Sequence, residues 1–235
     1  MDNLIIKEIK EEFKILSNQE EALRAQRYFK TGKGEYGEGD VFLGLKVPEI
    51  RRIAKKYSII PLSGIIIFLQ SEFHEERFFA LLLLINHFQK GDEEDKKRVY
   101  NLYLNHIKYI NNWDLVDISA GRIVGAYLFK RDKTPIYKLA RAKNLWERRI
   151  SIMSTAYFIA HNEFDDTLNI AEMLLTDKED LIHKAVGWML REVGKKCLEI
   201  EEDFLIKHHR EMPRTMLRYA IEKFPEEKRK SYLIK

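Results

Sequence analysis

Apolar residues recur along this 235-residue chain at intervals of three and four almost throughout, and sustained two-residue alternation is nearly absent. The pattern predicts helices over about 3–16, 18–31, 48–57, 62–70, 74–89, 92–107, 113–129, 135–142, 145–161, 165–175, 178–196, 199–209, 213–224 and 226–233. Local punctuation supports several of these starts. Ser17 with Glu20 reads as a capping box, Pro48, Pro135 and Pro213 suit first-turn positions, and Asp177 can cap the helix that follows it. The connections are short, so successive helices are expected to run antiparallel. Many such pairs predict an all-α fold of HEAT-like repeats stacked as a curved α-solenoid around a concave face. No low-complexity linker divides the chain, and a single α-helical repeat domain over 1–235 is expected.

One stretch breaks the helical pattern. Thr31-Gly32-Lys33-Gly34-Glu35-Tyr36-Gly37-Glu38-Gly39-Asp40 holds four of the eleven glycines. It lacks the Gly-Lys-Ser/Thr ending of a phosphate-binding loop, and Glu35, Glu38 and Asp40 would repel phosphate. A flexible connector is the expectation.

Three helices place polar side chains where the pattern calls for apolar ones. On the helix that begins Trp113-Asp114-Leu115-Val116-Asp117, Trp113 and Asp117 are four apart and share one face. Val116, Ala120, Ile123, Val124 and Tyr127 lie on that face too, so Asp117 sits inside the apolar arc. A carboxylate turned toward a core is costly unless a cation or a cleft receives it. Asp114 falls off the arc in the first turn, where an acid complements the helix N-terminus. The second helix, from Leu145, has an arc of Trp146, Ile150, Met153, Ala156, Tyr157 and Ala160. Arg149 falls near the middle of it and Arg148 toward its edge. A guanidinium cannot shed its charge, so Arg149 needs a partner. Asp117 and Arg149 fit either a buried structural ion pair or a functional site.

The third helix carries a core stripe of Ile182, Ala185, Val186, Met189 and Val193, with Trp188 on its flank beside Lys184, Arg191 and Lys195. A ring among three cations fits a nucleic-acid surface, the cations meeting phosphates and the ring a sugar or base. It also fits a tryptophan at the edge of the core among solvated lysines. Further on, Arg214 and Arg218 share a helix face at i, i+4 and either extend the cationic surface or are ordinary solvated arginines.

Charge adds direction to this picture. The chain carries a net +4, which by itself does not announce a nucleic-acid binder. Residues 181–235, however, hold 13 Lys/Arg against 9 Asp/Glu, the same excess of four as the whole chain, and could build a basic patch. A lone cysteine, Cys197, leaves no internal disulfide and suggests a reducing cytoplasm. The N-terminus has no signal-peptide pattern, and the longest apolar run, Phe78 to Ile85, is far short of the ~20 residues that span a bilayer. A soluble, cytoplasmic chain is expected, without a membrane role. The seven histidines show no zinc-binding pattern, and there is no nucleophile elbow for Ser-His-Asp chemistry. Neither a metal nor a cofactor is expected.

Together, Asn112-Trp113-Asp114-Leu115-Val116-Asp117, Leu145-Trp146-Glu147-Arg148-Arg149 and Lys184-Ala185-Val186-Gly187-Trp188-Met189-Leu190-Arg191-Glu192 resemble the bacterial DNA alkylation-repair glycosylases of the AlkD type, over roughly 26–224. The resemblance implies HEAT-like repeats whose basic concave face holds duplex DNA, and excision of purines alkylated at N7 or N3. It implies recognition of the cationic nucleotide without a base-flipping pocket, and a monomer is expected. By position, Asp117 looks like the catalytic carboxylate, Trp113 and Trp188 like tryptophans lining the cleft, and Arg149 like the cleft arginine. Tyr28 matches an N-terminal cleft residue, while Arg148, Lys184, Arg191, Lys195, Arg214 and Arg218 are the expected DNA contacts. Two departures stand out: some relatives have a second tryptophan where this chain has Asn112, and the glycine-rich loop is not general. The rival readings are a non-catalytic HEAT-like scaffold and a binder of distorted DNA that cuts no bond.

Overall fold

The computed structural model describes residues 2–234, with side chains from residue 4 onward. Among them the chain is all-α: no strand forms, and an isolated parallel bridge joins Val41 to Phe73. Helices joined by short connections pack against one another in the helical-repeat architecture that the periodicity predicts. The chain divides into two compact units, Met1–Ser119 and Ala120–Lys235.

In the first unit the core gathers around the helix His74–Lys90. Its apolar residues run all round the cylinder, with Phe79, Leu81 and Leu84 wholly buried, so neighbours must cover every side. Val47–Lys56, Leu62–Leu69 and Glu93–Asn105 do so. In the second unit the helix Asp180–Lys196 plays that part. Its stripe of Ile182, Ala185, Val186, Met189 and Val193 is buried as the sequence predicts, against Leu145–Ser154, Asp165–Met173, Leu198–His208 and Arg214–Ala220.

Several local expectations are corrected. Asn18, not Ser17, caps the second helix by accepting from the Glu21 amide, while the Ser17 hydroxyl turns back to the Lys14 carbonyl. That helix stops at Tyr28 rather than near 31, because Lys30 takes a left-handed backbone (φ 52°). Asp177 accepts from the Glu179 amide and from Arg148, so it braces the turn before Asp180–Lys196 rather than capping that helix directly. The helix expected over 113–129 is not continuous. Trp113–Ala120 widens into a π-helical turn at Gly121–Gly125 before Ala126–Leu128. Gly125 lets this turn lie close against Leu145–Ser154, since a Cβ there would collide with the Ser154 carbonyl. The helix expected over 145–161 breaks at Thr155, which rotates Ala160 into solvent and puts Phe158 and Ile159 in the core.

The glycine-rich loop is folded, not loosely tethered. Glu35 accepts from the Gly32 amide (2.8 Å) and Glu38 from the Gly34 amide (2.9 Å), so two acids secure the loop's own backbone. The loop ends on Asp40, whose carboxylate is fully buried. Just beyond it, Glu75 accepts from the amides of Leu43, Gly44 and Leu45 (2.9, 2.7 and 3.3 Å). Such buried amides need an acceptor, and one carboxylate serves all three.

Candidate active site

In the first unit, the start of the helix Trp113–Ala120 rests on a stack of rings. The half-buried Trp113 lies parallel to Phe29 at 5.2 Å, and Tyr28, 66% exposed, meets its edge at 6.0 Å. Phe29 stacks in turn on Phe42 at 5.0 Å, and Phe42 on the His74 imidazole at 4.4 Å. Offset and edge-on arrangements of this kind add stabilisation beyond the area they bury. Tyr28 and Trp113, assigned on sequence to the same cleft, are therefore neighbours. One turn on from Trp113, Asp117 is half-buried. Nearby Tyr103 donates its phenol to the Ser119 hydroxyl (2.9 Å). Burial pushes that phenol well above its ordinary range, and the Asp117 charge adds to the effect against the Ser119 hydrogen bond.

Beneath the rings runs a charge network that sequence reasoning missed. His74 donates from Nδ1 to Asp40 (2.8 Å) and from Nε2 to Asp114 (2.8 Å). The other oxygen of Asp40 accepts from Arg77, whose guanidinium also bonds the carbonyls of Ser71 and Glu72 (2.9 Å each). Asn112, fully buried, donates to Asp40 (3.3 Å) and accepts from the Trp113 amide (2.9 Å). Burial alone would lower the His74 pKa, but the Asp114 charge and the hydrogen bonds that His74 donates to both acids outweigh it and hold it at about 9. Burial opposes the charge on Asp40 as well, yet His74 and Arg77 keep its carboxyl below the usual range. Asp114, read as a simple helix N-terminal acid, thus has a more specific partner. The signal was present in His74-Glu75-Glu76-Arg77, four polar residues leading straight into an apolar run, and all four are buried.

The second unit holds the other expected residues. Arg149 is 4% exposed and donates to the Leu181 carbonyl, in keeping with its inward position on the wheel. Arg148 bonds both oxygens of Asp177 (2.6 and 3.2 Å) and the carbonyls of Ala142 and Lys143 (3.1 and 2.8 Å). Its guanidinium staples a loop to a helix. Trp188 is half-buried and donates from Nε1 to Glu192 (3.0 Å), which also pairs with Lys195 (2.6 Å). Arg191 bonds Glu222, and Lys184 pairs with Asp180 (2.7 Å). Arg214 and Arg218 are exposed and enter no ion pair among the described residues. Their helix lies close against that of Trp188 because Gly187 has no side chain: a Cβ there would strike the Met216 carbonyl and the Tyr219 side chain. Among the described residues no group of three or more His, Cys, Asp or Glu is arranged to hold a metal ion. No helix there is long and apolar enough to cross a membrane.

An all-α helical-repeat protein is thus defined, with a carboxylate beside stacked rings in one unit and a tryptophan among cations in the other. The chain belongs to the DNA alkylation repair enzyme family, whose sequence pattern matches residues 9–224. Its fold is similar to that of a predicted DNA alkylation repair enzyme from Enterococcus faecalis, at 20% identity and TM-score 0.69, covering 89% of this chain and 97% of that one. It is similar to AlkD2 from Streptococcus mutans (17% identity, TM-score 0.55, 96% and 100% covered) and to smu.31 from Streptococcus mutans UA159 (18%, 0.53, 96% and 100%). No curated protein matches the sequence.

Proposed function

We propose that this protein is a DNA glycosylase that hydrolyses the N-glycosidic bond of positively charged N7- or N3-alkylated purines in duplex DNA. The observation that carries the reading is Asp117, half-buried one turn from a tryptophan that is itself stacked and flanked by an exposed tyrosine. A carboxylate sealed in the core could not reach a nucleotide, and a fully solvated one would be screened.

An alkylated purine such as 7-methylguanine is already cationic. When its bond to C1′ breaks, the base takes the electron pair and departs neutral, with no general acid required. The difficult event is the positive charge that builds on the deoxyribose. Asp117 stabilises that charge and orients the water that adds to C1′, its proton passing to the carboxylate or to solvent. A unit charge pair about 4 Å apart is worth roughly 4 kcal/mol at an effective dielectric near 20, or about a thousandfold in rate. Trp113 offers cation–π contact to the lesion or sugar, worth ~0.5–2 kcal/mol, and Trp188 offers a ring to a nucleotide on its own unit. Arg149 supplies a fixed positive charge on the second unit. Tyr28 adds ring surface beside Trp113, and Lys184, Arg191, Lys195, Arg214 and Arg218 hold the backbone. Arg148 contributes by fixing the start of the helix that carries Arg149.

Incubation with methylated duplex DNA, followed by chromatography for free base, tests the reading directly. The parent releases 7-methylguanine or 3-methyladenine. Asp117→Asn loses about 100- to 1000-fold in single-turnover rate, with the Kd for undamaged duplex within twofold of the parent. Binding of methylated duplex with no base released would leave a binder of damaged DNA, and equal rates for variant and parent would remove Asp117 from the chemistry.

A further inference from the structure

We infer that His74 is a positioning residue of this site: held at both ring nitrogens by Asp40 and Asp114 and stacked on Phe42, it fixes Trp113 and the first turn of the helix that carries Asp117. The inference rests on the glycosylase reading for its effect on rate, and on geometry alone for its effect on Trp113.

Both ring nitrogens stand 2.8 Å from a carboxylate oxygen. A neutral imidazole has one N–H, so one of those contacts would set a lone pair against an anion. Only the imidazolium satisfies both. The buried charges then balance, His74 and Arg77 against Asp40 and Asp114, which is the condition for keeping such a cluster out of water. Three elements meet at this ring: the glycine-rich loop through Asp40, the central helix His74–Lys90 through His74 itself, and the helix Trp113–Ala120 through Asp114. Asn112 adds a second tie from Asp40 to the Trp113 amide. A third path runs through the rings, since Phe29 lies 5.0 Å from His74 and 5.2 Å from Trp113. A side chain that only filled space would need none of these polar links. A metal or substrate ligand would keep a nitrogen open, and here both are occupied.

The glycine-rich loop gains a purpose from this arrangement. It carries an acid to the underside of the ring stack while Tyr28, just before it, stays exposed beside Trp113. Loss of the imidazolium would free Asp114 and leave two buried acids facing one guanidinium.

The test uses the full-length protein labelled with 5-fluorotryptophan. Its three tryptophans give three ¹⁹F resonances, with that of Trp113 identified by Trp113→Phe. His74→Gln, which can satisfy one acid only, should shift the Trp113 resonance and leave those of Trp146 and Trp188 in place. In the parent the Trp113 resonance should titrate with a midpoint near 9, and in His74→Gln that titration should vanish. The charged groups facing the ring are Asp40, Asp114 and Arg77, and Tyr28→Phe removes the phenol of the ring that meets the Trp113 edge. On methylated duplex, His74→Gln should lose about 10- to 100-fold in single-turnover rate with undamaged-duplex Kd unchanged. Ile9→Ala, a core truncation in the first helix, should lower the melting temperature while keeping the rate. Should His74→Gln not fold, Asp114→Ala severs the tie while leaving Asp40, His74 and Arg77 together.

An unmoved Trp113 resonance, or a rate that falls equally in Ile9→Ala, overturns the inference. If the parent itself releases no base, the glycosylase reading fails, and the resonance alone decides whether His74 fixes Trp113.

Discussion

Buried charge is settled differently at two places, the Asp40–His74–Arg77–Asp114 network of the first unit and Glu201 of the second. In the first, every ion of the Asp40–His74–Arg77–Asp114 network has an opposite charge in contact, and the side chains are 15% exposed or less. In the second, Glu201 is 2% exposed with one oxygen unpartnered, while cations such as Arg214 and Arg218 stand in solvent. A closed circuit holds geometry, because moving any member exposes its partner. An open array attracts a polyanion, because its members are free to exchange water for phosphate. Under the glycosylase reading, the closed network would hold the first turn of the helix that carries Asp117, and the exposed arginines would meet phosphates.

The sharpest way to break this contrast is pH. Glu201 is pushed up to about 8, first by burial and then by the Glu202 charge, with Arg191 opposing. Its folded pKa lies above the unfolded value of 4.5, so its stabilisation is complete below that value and is lost as pH rises toward 8. The change amounts to a few kcal/mol, and Glu201→Gln should remove the decline in unfolding free energy between pH 5 and 8. His74 follows the same sign in a later window. Its contribution is full below the unfolded 6.5 and disappears as pH passes through about 9. Asp40 runs the other way, losing its contribution in acid below the unfolded 3.8. Urea titrations at half-unit pH steps should therefore show two losses as pH rises, one between about 5 and 8 and one near 9, each removed by its own variant.

A smaller effect separates the units by packing. Gly187→Ala should cost about 1–3 kcal/mol by forcing the helix of Arg214 and Arg218 away from that of Trp188, read as a lower urea midpoint. DNA affinity should fall with it, while the Trp113 environment stays unchanged. The smallest effect is at the array itself. Arg214→Ala and Arg218→Ala should each weaken undamaged-duplex binding a few-fold at all sequences, and each should flatten the slope of log K against log salt by about 1. An unchanged slope would take those residues off the DNA face.

What the sequence revealed follows the same division. Periodicity located the helices and the buried stripe of Asp180–Lys196, and it turned Arg149 inward, because those depend on contacts repeated every turn. It failed where the period itself changed. A wheel drawn at constant pitch cannot anticipate the π turn at Gly121–Gly125 or the break at Thr155, and Ala160 was misplaced for that reason. The His74 network was hidden for a different reason. Asp40, His74 and Asp114 are 34 and 40 residues apart, and no local pattern ties a glycine-rich loop to a helix start at that distance. The partners of Arg148, Asp177 and two carbonyls, are likewise a set that only folding assembles.

The widened turn at Gly121–Gly125 has a bearing on how this helix tolerates change in length. Removing one residue there would restore regular hydrogen bonding, which favours the deletion locally. It would also swing every later side chain by about 100°, carrying Leu128 out of its buried seat. The surplus residue works as a phase correction: without it, the faces before and after the glycines could not both point inward.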